Sequence, residues 1–233
     1  MSTDFSGPDA PPRGVVKICG LSTAESVEAA IDAGADMIGL VFFAKSPRHV
    51  TYHQAAELAA LARRLSPSVA IAALTVDASD TELATIARSI APDWLQLHGS
   101  ETPARAALVR GQYDALVMKA IGIGDAADIE EARRYRVVAD RLLLDARPAA
   151  DAVLPGGNGV AFDHRLIAGQ RFGLPFLLSG GLTPENVAAA VALTRPLGVD
   201  VSSGVETSPG VKDIGRIHAF VSAAREALDM AGQ

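Results

Sequence analysis

The sequence predicts a closed (β/α)8 barrel, the TIM barrel type, with eight parallel strands. Three observations predict it. Short β-branched or Leu-rich runs alternate eight times with Ala-rich helical stretches, the order that parallel strands joined by crossover helices produce. The chain has 233 residues, 49% of them hydrophobic, enough for one sizeable core. No linker-like shift in composition interrupts residues 14–230, so 14–233 reads as a single domain behind a loose N-terminal tail, 1–13. A count of eight units favours closure over an open, doubly wound sheet.

The first strand is "VVKIC" (15–19), and a helix follows in "STAESVEAAIDAG" (22–34). There Ser22 or Thr23 caps the first turn and Gly34 ends the last. Strand "MIGLVF" leads through the loop "FAKSPRHV" (43–50) to helix "TYHQAAELAALARRL", with Thr51 as its N-cap. Strand "VAIAALTV" precedes helix "SDTELATIARSI", and strand "WLQLHG" precedes "SETPARAALVRG", with Pro103 in the first helical turn. Strand "LVMKAIGI" leads to the weaker helix "DAADIEEARRYR". Strand "RLLLDA" (141–146) runs into a long glycine-rich loop, "RPAADAVLPGGNGVAFD", and a short helix near Arg165. Strand "PFLLSGG" leads to "TPENVAAAVALTR". The last strand is "GVDVSSG", and a long helix runs from about Lys212 to Met230.

Lys and Arg number 21 against 27 Asp and Glu, a net charge of −6. That balance offers no basic field for nucleic acid or an anionic membrane. A single cysteine rules out an internal disulfide and a thiolate cluster for zinc, and fits a reduced, cytoplasmic setting. Residues 1–13 lack the apolar core of a signal peptide, and no apolar run approaches the roughly 20 residues that span a bilayer. His49 and His53 stand four apart, but Thr51 starts the helix between them and no carboxylate motif accompanies them, so no metal site is expected. The helix faces show no apolar stripe that would decide between a monomer and a homodimer.

In such a barrel the chemistry sits on the loops at the carboxyl ends of the strands. Cys19 ends the first strand, Asp145 ends the sixth, and Arg48 lies in the loop after the second. Gly180 and Gly181 follow the seventh strand; Ser202, Ser203 and Gly204 follow the eighth. Small residues let backbone N–H groups approach an anion, and these two loops commonly hold phosphate in this fold. Gln96 and His98 share one face of the fourth strand, where they are either interior polar groups or, for His98, a ligand contact. Lys17 shares a face with Cys19, and its ammonium favours the thiolate unless Asp200, on the neighbouring eighth strand, neutralises it.

Together, "KICGLS" (17–22), "GLVFFAKSPRHV" (39–50), "LQLHGSE" (95–101), "LLLDA" (142–146), "GGNGVAFD" (156–163), "LSGGLTPENV" (178–187) and "GVDVSSGVETSPGVKD" (198–213) resemble the phosphoribosylanthranilate isomerase family of tryptophan biosynthesis. The resemblance implies a barrel without metal or organic cofactor, acting on a small-molecule phosphosugar. The implied reaction converts N-(5-phosphoribosyl)anthranilate to 1-(2-carboxyphenylamino)-1-deoxyribulose 5-phosphate, an Amadori rearrangement. It implies Cys19 as general base, Asp145 as general acid, and Arg48 at the anthranilate part. We add His98 and Asp200 as expected substrate contacts. Ser22, Asn158 and His164 depart from the family pattern without touching the acid–base pair. One rival is a ring-closing indole-glycerol-phosphate synthase, which would draw on a lysine such as Lys119. Another is a non-catalytic phosphosugar sensor, which would not need both Cys19 and Asp145.

Overall fold

Eight parallel strands pair in chain order and close on themselves: β1 (Val15–Cys19), β2 (Met37–Phe42), β3 (Ala70–Thr75), β4 (Trp94–Leu97), β5 (Leu116–Ile123), β6 (Arg141–Ala146), β7 (Phe176–Leu178) and β8 (Gly198–Val201). β8 returns to β1, with Lys17 opposite Asp200. The computed structural model describes residues 14–148, 156 and 162–232. The expected tail, 1–13, and most of the glycine-rich loop after β6 lie outside them.

The crossover helices are α1 (Ala24–Asp32), α2 (Tyr52–Leu65), α3 (Asp80–Ile90), α4 (Pro103–Gln112), α5 (Ala126–Arg133), α6 (Val187–Thr194) and α7 (Ile214–Ala231). Their starts are written locally. Thr23 with Ser26, Thr51 with Gln54, Ser79 with Glu82 and Asp125 with Asp128 form reciprocal capping boxes. Each such cap is worth about 1 kcal/mol. Pro103 takes the first turn of α4 behind the Thr102 cap, where its missing N–H costs nothing.

The short helix expected near Arg165 is a single 3-10 turn, His164–Leu166. Two boundaries differ from the sequence expectation. The first residues of "TPENV" form a turn, closed by Thr183 N–H donating to Asn186 Oδ1 at 2.8 Å, so α6 starts at Val187. Lys212 belongs to a hairpin, β9 (Glu206–Ser208) and β10 (Val211–Lys212), and α7 begins only at Ile214 behind its Asp213 cap.

Alternation along the strands separates two apolar layers. Ile71 and Ala73, Val117 and Ile121, and Leu142 and Leu144 face the helices in the main core. Ala70 and Ala72, Met118 and Ala120, and Leu143 instead pack together with Met37, Trp94 and Leu177 inside the barrel. These interior side chains fill the lower lumen, and the Arg141 guanidinium stacks 4.4 Å over Trp94 there. The same alternation turns Lys17, Cys19, Gln96, Asp145 and Asp200 inward. The floor is therefore apolar and the carboxyl mouth polar.

Candidate active site

Cys19 ends β1 in register with Gly39 of β2. Its sulfur fills the space a side chain at 39 would need: a Cβ built on Gly39 lies 2.7 Å from Sγ. Beneath it, Lys17 Nζ donates to Asp200 Oδ1 at 2.6 Å, and Ser179 Oγ donates to Asp200 Oδ2 at 3.0 Å. All of these side chains are buried. Burial pushes the Cys19 thiol above its ordinary value; Lys17 pulls it down without prevailing, and Asp200 pushes it up. Of the two alternatives the sequence left open, the pairing of Lys17 with Asp200 is the one present, and burial outweighs the pull of the ammonium on the thiol. Both oxygens of Asp200 are engaged inside the barrel, and the carboxylate is the counter-ion of Lys17.

Asp145 lies across the mouth at the end of β6, 5% exposed, with Oδ1 accepting from the Ala146 N–H at 2.8 Å. His98 Nε2 stands 3.5 Å from its Oδ2, and His98 Nδ1 is 3.0 Å from Gln96 Nε2. The inward pair of β4 thus presents an imidazole edge to the carboxyl. Gly156 packs on both groups; a Cβ there would sit 2.5 Å from Asp145 Oδ2 and from His98 Nε2.

Arg48 is 6% exposed, and its Nε and Nη2 donate to Glu206 Oε1 and Oε2 at 2.7 and 2.8 Å. Lys212 Nζ donates to Glu206 Oε1 at 2.8 Å and to the Ser202 carbonyl at 2.9 Å. Glu206 and Lys212 were not among the expected site residues. The turn signal Pro209–Gly210 between them was the available clue, since a hairpin there sets Lys212 opposite Glu206. Burial pushes Glu206 up, but Arg48 and Lys212 more than offset it and hold its carboxyl below the usual range.

Gly180 and Gly181 both adopt left-handed backbone, φ 83° and 63°, in the loop after β7. Ser202 precedes a one-turn 3-10 segment, Ser203–Val205, after β8. A Cβ on Gly204 would overlap the Leu182 carbonyl, so the two loops are in contact at that point. The five small residues expected to hold phosphate thus come from two touching loops. Lys119 does not join them. It alternates outward from Met118 and Ala120, and its Nζ donates to the carbonyls of Leu97 and Gly99 and to Glu101. A lysine-based site on β5 has no structural support.

A thiol and a carboxyl, turned into the carboxyl mouth of a closed parallel barrel, define an enzyme of the (β/α)8 class. The family model for N-(5'phosphoribosyl)anthranilate (PRA) isomerase matches residues 16–223, and the chain belongs to that family. It is 57% identical over 213 residues to N-(5'-phosphoribosyl)anthranilate isomerase of Afipia carboxidovorans, covering 91% of this chain and 90% of that one. Its fold is similar to the crystal structure of phosphoribosyl anthranilate isomerase from Thermotoga maritima, TM-score 0.82 and 34% identity, covering 91% and 99% of the two chains. Another similar structure, TM-score 0.79 and 33% identity over 91% and 99%, is a phosphoribosyl anthranilate isomerase in complex with reduced 1-(o-carboxyphenylamino)-1-deoxyribulose 5-phosphate.

Proposed function

We propose that the protein converts N-(5-phosphoribosyl)anthranilate to 1-(2-carboxyphenylamino)-1-deoxyribulose 5-phosphate in tryptophan biosynthesis, with Cys19 as general base and Asp145 as general acid. One observation carries the assignment of roles: in a barrel of this family, the single thiol and the buried carboxyl of β6 both face the lumen at strand ends.

Asp145 gives a proton to the ribose ring oxygen as the C1–O bond breaks, and the nitrogen lone pair forms an iminium. Cys19, as thiolate, takes the proton from C2. The C–H electron pair becomes the C1–C2 double bond and discharges the iminium, leaving an enol-amine. Ketonisation then moves a proton from the C2 hydroxyl to C1. Burial holds the resting thiol neutral, so its proton passes to solvent before the C2 step; the cationic iminium acidifies C2 and favours the thiolate left beside it. At the end of the cycle the sulfur is again a thiol, and Asp145 regains its proton from solvent. Each positioned acid or base contributes about 10²- to 10⁴-fold.

Arg48 offers a planar fork suited to the anthranilate carboxylate. His98, with Nε2 3.5 Å from Oδ2, stands where it can orient the Asp145 carboxyl and meet the substrate. Gly180, Gly181, Ser202, Ser203 and Gly204 bind the phosphate, as loops seven and eight do in this fold. Acid–base chemistry of this kind calls on no cofactor. Residues 14–233 act as one domain, and a lone buried thiol suits the cytoplasm. No helix among the described residues is long and apolar enough to cross a membrane.

Two assays test the reading: loss of substrate fluorescence with the purified protein, and growth of a tryptophan auxotroph lacking this isomerase. Turnover with growth supports it. A folded protein that gives neither overturns it in favour of a phosphosugar-binding barrel.

A further inference from the structure

We infer that Glu206 is a positioning residue for substrate recognition, fixing the Arg48 guanidinium in the plane that receives the aromatic carboxylate and tying it to the phosphate loop through Lys212. The inference rests on the reading of Arg48 given above.

Arg48 projects from a loop rather than a strand, and a long arginine side chain has many rotamers open to it. Something must hold it. A two-point contact to one carboxylate sets both the position and the plane of a guanidinium. Glu206 makes that contact at 2.7 and 2.8 Å, and its own orientation is fixed in turn. Its Oε1 also accepts from Lys212 Nζ at 2.8 Å, and its Oε2 from the Gly210 N–H at 3.2 Å. Lys212 reaches on to the Ser202 carbonyl at 2.9 Å. A chain of polar contacts therefore links the loop after β2 to the loop after β8, on either side of the end of β1.

That chain passes beside the thiol. Gly20, the residue after Cys19, lies under the Arg48 stem: a Cβ there would be 2.5 Å from Arg48 Cδ and 3.1 Å from Ser202 Oγ. The cluster of Arg48, Lys212 and Glu206 holds two cations and one anion. It keeps a net positive charge for an incoming carboxylate although Arg48 is paired. The carboxylate of Glu206 orients without cancelling.

The test compares two stable ligands by calorimetry: reduced 1-(o-carboxyphenylamino)-1-deoxyribulose 5-phosphate and its counterpart built on aniline, which lacks the carboxylate. Wild type prefers the first, and Arg48→Ala loses the preference. Glu206→Gln is expected to cut the preference about tenfold or more while changing affinity for the aniline compound by less than about threefold. A preference kept or increased in Glu206→Gln overturns the inference, as does equal weakening of both ligands, the mark of a merely structural role. If Arg48→Ala itself keeps the preference, the reading of Arg48 fails and the inference fails with it. Should Glu206→Gln not fold, Arg48→Lys replaces it. Lysine keeps the charge but cannot make the two-point contact, so its preference must fall as in Arg48→Ala; a retained preference overturns the inference.

Discussion

Lys17 and Asp200 face each other in register across β1 and β8, with Nζ 2.6 Å from Oδ1 in a fully buried setting. Burial alone would lower the Lys17 ammonium, but Asp200 and the Cys19 sulfur raise it above its ordinary value. The pair therefore contributes stability below the ordinary lysine value and loses it as pH rises through the raised one.

Breaking the pair from either side moves the thiol in opposite directions. Asp200→Asn strands a buried cation and should cost about 3–5 kcal/mol of stability. It also leaves Lys17 unopposed beside Cys19, so the thiol should alkylate faster with iodoacetamide at pH 7. Lys17→Met should slow the same reaction. Slower alkylation in folded Asp200→Asn would contradict the electrostatic account.

Gly39→Ala tests the seat of the sulfur. The added methyl would sit 2.7 Å from Sγ and 3.1 Å from the Cys19 Cα, so the thiol must move. Overpacking of this kind costs about 1–3 kcal/mol, and a displacement near 1 Å costs about 10²-fold in rate. Turnover should fall by about that factor in a protein that still melts cooperatively.

His98 separates positioning of the acid from binding of substrate. If its Nε2 orients Asp145, His98→Ala should lower kcat by about ten- to hundredfold with KM little changed. His98→Gln, which keeps a nitrogen near the same point, should recover part of the loss. A rise in KM alone would make His98 a substrate contact instead.

Acid should release the Arg48 clamp late. The Glu206 carboxyl is held below the usual range, so its contribution is present above the ordinary glutamate value and lost as pH falls through the depressed one. The part of the preference for the carboxylated ligand that Glu206 supplies should persist as pH falls through the ordinary glutamate value and be lost only below it, and Glu206→Gln should remove that part. A fall centred near neutrality would assign the step to another group.

Local rules carried most of the architecture. The caps at Thr23, Thr51 and Ser79 and the strand endings at Cys19 and Asp145 depend on neighbours a few residues away, so they are legible in a linear text. Adjacency of Lys17 and Asp200 follows once the barrel closes. The Glu206–Arg48 contact joins residues 158 apart and depends on a hairpin whose last residue, Lys212, reads in the sequence as the start of the long helix. Lys119 misleads for another reason: β5 is buried on both faces, so the outward turn of that side chain leaves no alternating polar pattern.

The central claim is that Cys19 and Asp145 form the acid–base pair. Loss of N-(5-phosphoribosyl)anthranilate fluorescence, followed for wild type, Cys19→Ala and Asp145→Asn with folding checked by circular dichroism, tests it most directly. Each variant should lose at least about 10²-fold in kcat. Wild-type turnover in either folded variant would contradict the account.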